Sequence, residues 1–520
     1  MLHLKQSLRY GLCALLAFAN GLAARAQYQT LLSHDLATLQ VLRNGDWRQR
    51  LPLISLTGGD EIQISFDDFS AAYRRFTYDV VHCEADWTPS TQLFATDYAE
   101  GFTEALTIDD VQPSRQTQVA YTHYAFALPN DQCRLTKSGN YEVRIYDERH
   151  ELMARACFMV TEATMKARLT CTTNTDVDVN ATHQQIAWAV DFQGVNVTQP
   201  DREIKTVVLQ NGRWDDARIN VSPQMQTPNG LAWQHCRALI FDAGNVYRKF
   251  ECLAVDHPTM GIAEITWDGR RYHARLHTDE PRPNYVYDES AQGLFCVRNS
   301  DNRDNAIQSD YVMVHFSLQT PLTSRPIYLN GHFTGDRFSP TCQLHYNETA
   351  GLYEACLLLK QGYYSYQYLT PDGDGCMVPV ASEGNFYQTK NFYHALVYYR
   401  GLGERTGNGS LTFSYDSGGD LDSIVFTHAT EGTAQDGIPG VTSGAAVTTI
   451  VTTTLEVPLL SDTDREVATS YARHAALSSG SLTVPLTALD LSDSPGQGFA
   501  DIVSLPRRPP RVTPRLHPTR

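Results

Sequence analysis

Histidine and cysteine stand side by side at His82 and Cys83, and another histidine stands at His123. Such side chains can act as a nucleophile and its base, or as ligands of a metal ion. A reactive thiol is usually activated at the N-terminus of a helix, whereas the residues before Cys83 alternate in the manner of a strand. We therefore predict that Cys83 is buried or bridged and that both histidines lie on strand faces without catalysing a reaction.

Four acidic residues nearby could supply the carboxylate pair of a glycoside hydrolase, namely Asp67, Asp68, Glu84 and Asp86. Consecutive residues of a strand point to opposite faces, so Asp67 and Asp68 cannot both face one substrate. Acidic side chains at strand ends and turns usually bind nearby backbone amides. The sequence therefore predicts capping and turn roles for these carboxylates.

A polar segment with Asp301, Asn302, Asp304 and Asn305 is similar in composition to a calcium-binding loop. The glycine and the downstream glutamate of an EF-hand loop are absent. The sequence also contains no Cys-x-x-Cys pair of the kind found in zinc ribbons. The segment is expected to be a surface loop, and we predict no catalytic residue, no cofactor-binding residue and no metal ligand.

The elements that would position these side chains are β-strands. Residues 76–82 place Phe76, Tyr78, Val80 and His82 at alternate positions, which is the period of a strand. A turn is predicted at residues 88–90, and a second strand at 121–128 is closed by a Pro-Asn pair. The two strands are predicted to form the aromatic spine of an antiparallel sheet.

The first 26 residues have the pattern of a cleavable signal peptide. Lys5 and Arg9 precede a short apolar run at residues 12–19, and Ala24-Arg25-Ala26 is a small-x-small cleavage site. The run is far shorter than the roughly 18 residues of a membrane span. We expect the mature chain to begin at Gln27 and to be soluble in the periplasm.

The chain is acidic, with a formal net charge of −16. Loss of the predicted signal peptide removes Lys5, Arg9 and Arg25 but no acidic residue, so the charge falls by three to −19. Nucleic-acid binding needs clustered cations, so this charge disfavours a nucleic-acid partner.

Strand and turn signals divide the remaining residues into four segments. Residues 27–162 are predicted to be an immunoglobulin-like β-sandwich in which the strand at 141–145 has one face in water. Residues 163–310 are predicted to be a second β domain, and residues 311–402 an early-set-like β-sandwich.

Residues 403–520 are rich in small residues and proline and poor in large apolar ones, which predicts disorder. A shifted reading frame in the source gene would produce the same change of composition. The predicted fold class is therefore all-β, with tandem immunoglobulin-like and early-set β-sandwich domains and a low-complexity, disordered C-terminal tail.

Hairpin signals stand out in the middle of the chain. Asn211-Gly212 between residues 204–210 and 213–221, and Asp268-Gly269 between 262–267 and 270–277, are strong turn dipeptides. A third hairpin is predicted around residues 242–245.

The cysteines permit disulfides, because removal of Cys13 with the signal peptide leaves an even number in an exported chain. A hairpin loop centred on residue 349 would place Cys342 opposite Cys356. One centred on residue 244 would place Cys236 opposite Cys252. A shift of one residue in either loop would move each pair onto different faces.

Several short motifs occur in a fixed order along the chain. They are 66–68 (FDD), 78–87 (YDVVHCEADW), 101–102 (GF), 121–124 (YTHY), 128–130 (LPN), 138–141 (SGNY), 204–209 (IKTVVL), 241–245 (FDAGN), 383–385 (EGN) and 398–400 (YYR). In this order they resemble the Bacteroidetes family of type IX secretion system plug proteins, formerly filed as a domain of unknown function. The resemblance covers residues 30–402.

The resemblance implies a function without catalysis. Plug proteins close the periplasmic side of the outer-membrane translocon when no cargo is in transit. It further implies a large outer-membrane β-barrel as partner, no cofactor, no nucleic acid and no insertion of this chain into the membrane.

An alternative is a carbohydrate-binding accessory protein of the periplasm or cell surface. Residues 362–368 (GYYSYQY) resemble a hairpin of the early-set modules that bind starch and glycogen. Sugar platforms rely on exposed flat aromatics, most often tryptophan, and all six tryptophans precede residue 268. The predicted third domain therefore lacks the usual platform residue, and the likeness is expected to be architectural.

Overall fold

The computed structural model describes residues 29–401, except residues 71, 163 and 374, and the backbone of five strands between residues 408 and 482. Two compact units are distinguished, Met1–Gly419 and Asp420–Arg520. The predicted signal peptide and most of the predicted tail lie outside the described residues, so both stay predictions.

The first core is built from two facing sheets. Its strands are β1 (Thr30–Leu31), β2 (Leu36–Arg43), β3 (Leu53–Ser55), β4 (Ile62–Asp68), β5 (Thr77–Cys83), β6 (Ala99–Gly101), β7 (Leu106–Thr107), β8 (Asp110–Pro113), β9 (Thr122–Leu128), β10 (Cys133–Leu135), β11 (Gly139–Tyr146) and β12 (Leu152–Thr161). One sheet has the order β1-β12-β11-β5-β7, with β3 parallel to β12, and the other has the order β2-β4-β9-β8. The inward-facing side chains, among them Phe66, Phe76 and Tyr124, are fully buried, so the all-β prediction is confirmed here.

The two strands of the aromatic run do not pair with each other. β5 lies between β11 and β7 in one sheet, and β9 lies between β4 and β8 in the other. Their side chains meet across the core, where the rings of Tyr78 and Phe126 stack with centroids 4.2 Å apart. Both strands are as predicted, but their assignment to the spine of one sheet is wrong, because alternation identifies the faces of a strand and not its partners.

β11 is buried on both faces, although its charged residues had indicated one face in water. It pairs with β5 on one side and β12 on the other, and Glu142 is only 2% exposed. The neighbouring side chains of Cys157 and Met159 on β12 pack against residues of the second core. The face is covered because another sheet lies on it, which the local sequence of β11 does not reveal.

The second core begins at Met165, which is buried in it. Its first strands are β13 (Lys166–Thr172), β14 (His183–Asp191), β15 (Ile204–Gln210), β16 (Arg218–Ile219), β17 (Met225–Thr227), β18 (Gly230–Trp233) and β19 (Ile240–Asp242). One sheet has the order β13-β14-β18-β17, with β19 also on β14. Trp188 and Trp233 stack at its centre with ring centroids 4.1 Å apart.

The third core follows the second in the chain, and its ten strands form one sheet. Its strands are β20 (Arg248–Cys252), β21 (Ile262–Trp267), β22 (Tyr272–Leu276), β23 (Phe295–Val297), β24 (Tyr311–Leu318), β25 (Ile327–Asn330), β26 (Gln343–Asn347), β27 (Leu352–Lys360), β28 (Gly362–Pro371) and β29 (Met377–Pro379). The order is β20-β28-β25-β26-β27-β24-β22-β21, with β23 and β29 also on β28.

The chain then returns to the second core. β30 (Phe392–Tyr399) pairs with β15 along its whole length, and the backbone of β31 (Asn408–Asp416) pairs with β30. The third core is therefore an insertion between β19 and β30 of the second. In the other unit, β32 (Ser423–Gly432) pairs with β33 (Thr449–Pro458), and β34 (Leu477–Ser478) pairs with β35 (Ser481–Leu482).

These pairings correct the predicted division of the chain. The boundary between residues 310 and 311 falls inside the third sheet, since β20 to β23 precede it and β24 to β29 follow it. Residues 392–399 pair with β15, which lies about 190 residues earlier in the chain, and Ile204 faces Tyr399. Strand and turn signals are local, whereas membership of a sheet is set by long-range pairing.

Of the three predicted hairpins, the one at Asp268-Gly269 is confirmed and the one at Asn211-Gly212 is confirmed only in part. A turn lies at Asn211 and Gly212, with φ of 53° and 76°, but β16 is only Arg218–Ile219 and Val208 faces Arg218, so the connection is much longer than the predicted two residues. This left-handed conformation is what Asn-Gly dipeptides favour. β21 pairs with β22 across Asp268-Gly269. The third prediction is wrong, because β19 joins β14 of the second core while β20 joins β28 of the third.

Neither predicted cysteine pair is opposed. Cys236 and Cys252 belong to the two different cores just described. In the β26–β27 hairpin His345 faces Glu354 and Asn347 faces Leu352, so the loop is centred half a residue beyond the predicted position. Cys342 is buried and Cys356 is exposed, and all four thiols are free.

The described helices are short. They are α1 (Ala95–Tyr98), α2 (Pro200–Glu203) and α3 (Asn305–Gln308), with 3-10 turns at Arg237–Leu239, His332–Thr334, Pro340–Cys342 and Ala381–Glu383. Among the residues that the structure describes, no helix has the length and apolarity needed to cross a bilayer.

Candidate functional site

His82 and Cys83 end β5 in a buried position. The imidazole Nδ1 lies 2.9 Å from Ser90 Oγ, and Nε2 lies 3.1 Å from the carbonyl oxygen of Ser138. Burial lowers the pKa of His82 to about 4 and raises the pKa of the Cys83 thiol to about 12. A thiol that stays protonated at neutral pH is a poor nucleophile. His82 and Cys83 are therefore buried structural residues, as the sequence predicts.

His123 does not join that pair. It lies on β9 in the opposite sheet, where its Nδ1 is 2.7 Å from Asp67 Oδ1. Asp68, the next residue, turns to the other side and accepts a hydrogen bond from the backbone N–H of Ser70 at 3.2 Å. Asp68 therefore has the predicted turn role.

Asp67 has a different role from the one predicted. Its carboxylate is 1% exposed and lies at the junction of the first and third cores. Besides His123 it binds Lys360 Nζ at 2.5 Å and accepts a hydrogen bond from the hydroxyl of Tyr311 at 2.6 Å. We call Asp67, Tyr311 and Lys360 the ionic junction.

Glu84 and Asp86 fit the predicted turn. Asp86 Oδ1 accepts hydrogen bonds from the backbone N–H and the hydroxyl of Thr88, at 3.1 and 2.6 Å. Glu84 Oε1 accepts one from Ser90 Oγ at 2.8 Å. Both carboxylates stabilise the loop that follows β5.

Asn302, Asp304 and Asn305 of the calcium-like segment are hydrogen-bonded to neighbours within residues 299–308. Asn305 Oδ1 accepts the backbone N–H of Asn299 at 3.0 Å, and Asn305 Nδ2 donates to Asn302 Oδ1 at 2.9 Å. Asp304 Oδ2 accepts a hydrogen bond from Gln308 Nε2 at 3.0 Å. In the described part of the chain, no group of three or more His, Cys, Asp or Glu side chains could hold a metal ion.

Lys360 is held at the ionic junction by more than its carboxylate partner. Its side chain is 2% exposed, its ammonium donates to the carbonyl oxygen of Ala306 at 2.6 Å, and it lies 4.2 Å from the ring centroid of Tyr121. Burial lowers the pKa of Lys360, and the charge of Asp67 opposes that shift. An ammonium and a carboxylate buried together fix the two cores in one relative position.

A second carboxylate reinforces the same junction. Asp310 accepts the backbone N–H groups of Gln118 and Val119, at 2.7 and 3.0 Å, from the loop between β8 and β9. Tyr121 donates its hydroxyl to the carbonyl oxygen of Ser309 at 2.8 Å. The third core thus supplies partners for a loop of the first core whose amides would otherwise be unpaired.

The junction of the first and second cores is apolar. The residues packed there are Leu51, Trp87, Cys157 and Met159 of the first core, and Val207, Leu209, Leu396 and Tyr398 of the second. Trp87 meets Trp214 edge to face with centroids 5.6 Å apart. Tyr398 adds a buried hydrogen bond from its hydroxyl to Asn140 Oδ1 at 3.0 Å. This patch is a hydrophobic cluster of its own, separate from the clusters of the two cores that it joins.

Amide side chains hold the two segments that connect the second and third cores. Gln184 Nε2 donates to the carbonyl oxygen of Thr389 at 2.8 Å, Asn391 Nδ2 donates to that of Ala243 at 2.8 Å, and Asn245 Nδ2 donates to that of Glu383 at 2.9 Å. Beside them is a polar cavity of about 200 Å³ lined in part by Arg213, Asp216, Arg218, Tyr247 and Gln367. Arg213, in the turn after β15, donates to the carbonyl oxygen of Met377 on β29 at 3.3 Å, so each described core is joined to the other two.

Large apolar side chains remain exposed on all three cores. They include Tyr73, Phe94 and Phe102 of the first, Val177, Val179 and Met225 of the second, and Trp267, Tyr287 and Leu322 of the third. Tyr287 is the most exposed at 86%, and its ring meets Tyr285 at a centroid distance of 4.8 Å. Aromatic residues at a surface are frequent anchors of protein interfaces.

Comparison with known protein families identifies the family of this chain. The family described as "Type 9 secretion system plug protein 1st domain" matches residues 36–162. The chain belongs to the type 9 secretion system plug protein family. The matched residues of this plug-family protein are those of the first core, from β2 to the end of β12.

The plug-family chain is also similar to a solved structure, the crystal structure of a hypothetical protein from Parabacteroides merdae ATCC 43184 at 2.30 Å resolution. The two are 35% identical, with a TM-score of 0.72, and the match covers 75% of this chain and 99% of that one. No curated protein matches the chain. The likeness to the solved structure extends well beyond the first core.

The contacts between cores are what sequence reasoning missed. The acidic pair Asp67-Asp68 was visible, but its partner Lys360 lies 293 residues away. One local signal was available, since Lys360 directly follows the run Leu357–Leu359 at the end of a strand. A charged residue that ends an apolar strand is a candidate for a buried ion pair.

Proposed function

We propose that this plug-family protein closes the periplasmic side of the outer-membrane type IX translocon when no cargo is in transit, and that it catalyses no reaction. The family supports the association with type 9 secretion. Location in the periplasm, release by a signal peptidase and a large outer-membrane β-barrel as partner belong to the same proposal.

The observation that carries the proposal is the set of buried junctions between the three cores. A closure must withstand contact with a large pore without its parts separating. Lys360 with Asp67 joins the first and third cores, and Tyr398 with Asn140 joins the first and second. Asn245 with the backbone of Glu383 ties together the two segments that connect the second core to the third. Such contacts are expensive to break, because each leaves a buried group without a partner.

The positions of the candidate catalytic residues are consistent with a function without catalysis. His82 and Cys83 are buried and bound to neighbouring groups. Asp67 and Asp68 point to different partners, and Glu84 and Asp86 stabilise a turn. These contacts give each candidate catalytic side chain a structural role.

The exposed surface of the protein suits a partner that binds reversibly. A plug must be released when cargo passes, so its affinity has to be moderate, and interfaces of about 1,600 Å² range from micromolar to picomolar according to their anchors. Exposed aromatics such as Tyr287 and Phe102 can supply those anchors. Because the mature chain is expected to carry a charge of −19, we expect a complementary basic rim and binding that weakens as salt increases.

The direct test is affinity purification of the tagged full chain from gently solubilised native envelopes. We expect a very large outer-membrane β-barrel to co-elute at low salt and to be lost progressively as salt is raised. A second exported protein with a similar tag and charge serves as the control. Recovery of the chain without any large barrel protein at low salt would contradict the proposal.

One exposed tryptophan in the third core bears on the carbohydrate-binding alternative. The third core includes Trp267, which lies before the predicted domain boundary and is 46% exposed. Its ring is tilted by 52° against Tyr272, so the two rings do not form a flat platform. Retention on insoluble glucans that is lost in Trp267→Ala, together with unchanged envelope permeability on deletion, would favour this alternative.

A further inference from the structure

The polar cavity between the second and third cores is large enough for a small organic molecule. Its volume is about 200 Å³, and since one water needs about 10–15 Å³ of such space, there is room for a molecule of roughly ten heavy atoms. The lining residues come mainly from segments 210–218, 242–247 and 376–379. The second core supplies the first segment and the third core the last, so a bound molecule contacts both cores.

Arg213 brings a buried cation with one unengaged nitrogen to the cavity. The residue is 5% exposed. Its Nε and Nη2 donate to the carboxylate of Asp215 at 3.2 and 2.5 Å, and Nη2 also donates to the carbonyl oxygen of Met377 at 3.3 Å. Among the described residues Nη1 has no partner, and it is not one of their fully buried unpaired atoms, so it is open to the cavity. A charged N–H group of this kind binds a carboxylate well.

Asp216 supplies the opposite charge from the same turn. Its Oδ1 lies 2.8 Å from Arg218 Nη1, whereas Oδ2 has no partner in the part of the chain that the structure describes. Burial raises the pKa of Asp216, although the charges of Arg213 and Arg218 oppose that shift. A carboxylate in such a place is stabilised by a ligand group that donates hydrogen bonds and carries positive charge.

Part of the cavity lining is apolar. Met377 and Pro379 lie two residues apart on β29, so they share a face, and Ala243 is a further lining residue. Small-molecule sites commonly combine an apolar wall with a few polar groups that fix the orientation of the ligand. A ligand that binds Arg213 and Asp216 can therefore place an apolar group against this wall.

We propose that the cavity binds a free α-amino acid with an apolar side chain. The carboxylate of the ligand accepts a hydrogen bond from Arg213 Nη1, its ammonium group donates to Asp216 Oδ2, and its side chain contacts Met377 and Pro379. The proposal is independent of the plug function.

The mixed charge of the lining favours a zwitterion over an ion of one sign. A ligand with only negative charge would lie beside the carboxylates of Asp216 and Asp242, and one with only positive charge would lie beside Arg213 and Arg218. An α-amino acid carries both charges on one carbon atom, and the turn presents both within three residues. Each ligand charge thus has an opposite charge nearby, which offsets the cost of removing it from water.

Equilibrium dialysis of the full chain with isotope-labelled L-leucine tests the ligand class without altering the protein. We expect saturable retention of one molecule per chain. Two analogues of the same shape serve as controls, since 4-methylpentanoate lacks the ammonium group and 3-methylbutylamine lacks the carboxylate. Each should need at least a tenfold higher concentration than unlabelled L-leucine to displace the label. No saturable retention, as expected of a cavity that holds only water, or displacement by either analogue at the concentration of L-leucine itself, would overturn the proposal.

A pair of variants tests the location of the site. Asp216→Asn keeps the shape of the side chain and removes its charge, so it should weaken retention of L-leucine at least tenfold. Asp201→Asn, at an exposed acidic residue of α2 in the same core, should leave retention unchanged. Thermal unfolding checks that both variants fold, and the competition by analogues decides the matter if Asp216→Asn does not. Equal retention by two folded variants would show that L-leucine does not bind in this cavity.

Discussion

Lys360 Nζ lies 2.5 Å from Asp67 Oδ2, and this contact joins the last residue of β27 in the third core to β4 in the first. Both side chains are at most 2% exposed. Burying two charges is costly unless they are paired and their remaining hydrogen-bonding positions are filled. Here Tyr311, His123 and the carbonyl oxygen of Ala306 fill them, so the pair specifies how the two cores are placed.

Replacement of the lysine tests this role. Lys360→Met leaves the carboxylate of Asp67 buried without its countercharge, and we expect a loss of about 3–5 kcal/mol in the free energy of unfolding. Chemical denaturation of the purified chain measures it. Lys249→Met is the matched control, because Lys249 pairs with Asp288 at the surface, and such pairs contribute at most about 1 kcal/mol. Equal losses in the two variants would show that the ionic junction has no special role.

The apolar junction between the first and second cores gives a separate prediction. Leu209 is fully buried there, so Leu209→Ala should destabilise the chain by about 2–5 kcal/mol through lost burial and a cavity. Ile219→Ala, on the neighbouring strand but 50% exposed, should stay within about 0.5 kcal/mol of wild type. Thermal unfolding compares them, and a similar melting temperature for both variants would argue against tight packing at this junction.

Two buried histidines predict how stability depends on pH. Burial lowers the pKa of His82 to about 4 and that of His394 to about 3, whereas unfolded histidine titrates near 6.5. The unfolded chain therefore binds more protons below pH 6.5, and stability falls as the pH drops from there toward 4. Between pH 7.5 and 5 each histidine should account for a loss of about 2 kcal/mol.

Variants separate this effect from other titrations. His82→Gln and His394→Gln should each reduce the loss of stability between pH 7.5 and 5, measured by denaturation at both pH values. His257→Gln, at an exposed histidine beside Asp256, should leave the loss as in wild type. A pH dependence that is the same in all four proteins would rule out the buried histidines as its cause.

The limits of sequence reasoning follow from the range of each signal. Alternation located β5 and β9, and Asn211-Gly212 located the turn that ends β15, because these depend on neighbours in the chain. The pairing of Ile204 with Tyr399 depends on residues far apart, so the insertion of the third core was not predictable from local patterns.

Register shows the same limit on a finer scale. His345 faces Glu354, and this half-residue displacement of the loop centre is enough to separate Cys342 from Cys356. For the candidate site, the turn roles of Asp68 and Asp86 follow from local chemistry. The role of Asp67 does not, because Lys360 and Tyr311 reach it only after the third core has formed.

Closure of the translocon is tested most directly by the permeability of cells that lack this protein. Uptake of a large hydrophilic compound that the intact outer membrane excludes is measured in a deletion strain and in the same strain that carries the wild-type gene. We expect the deletion to raise uptake, the restored gene to return it to the original level, and secretion of cargo to be largely spared. Unchanged uptake in the deletion strain, with the translocon still present in its outer membrane, would contradict the proposed function.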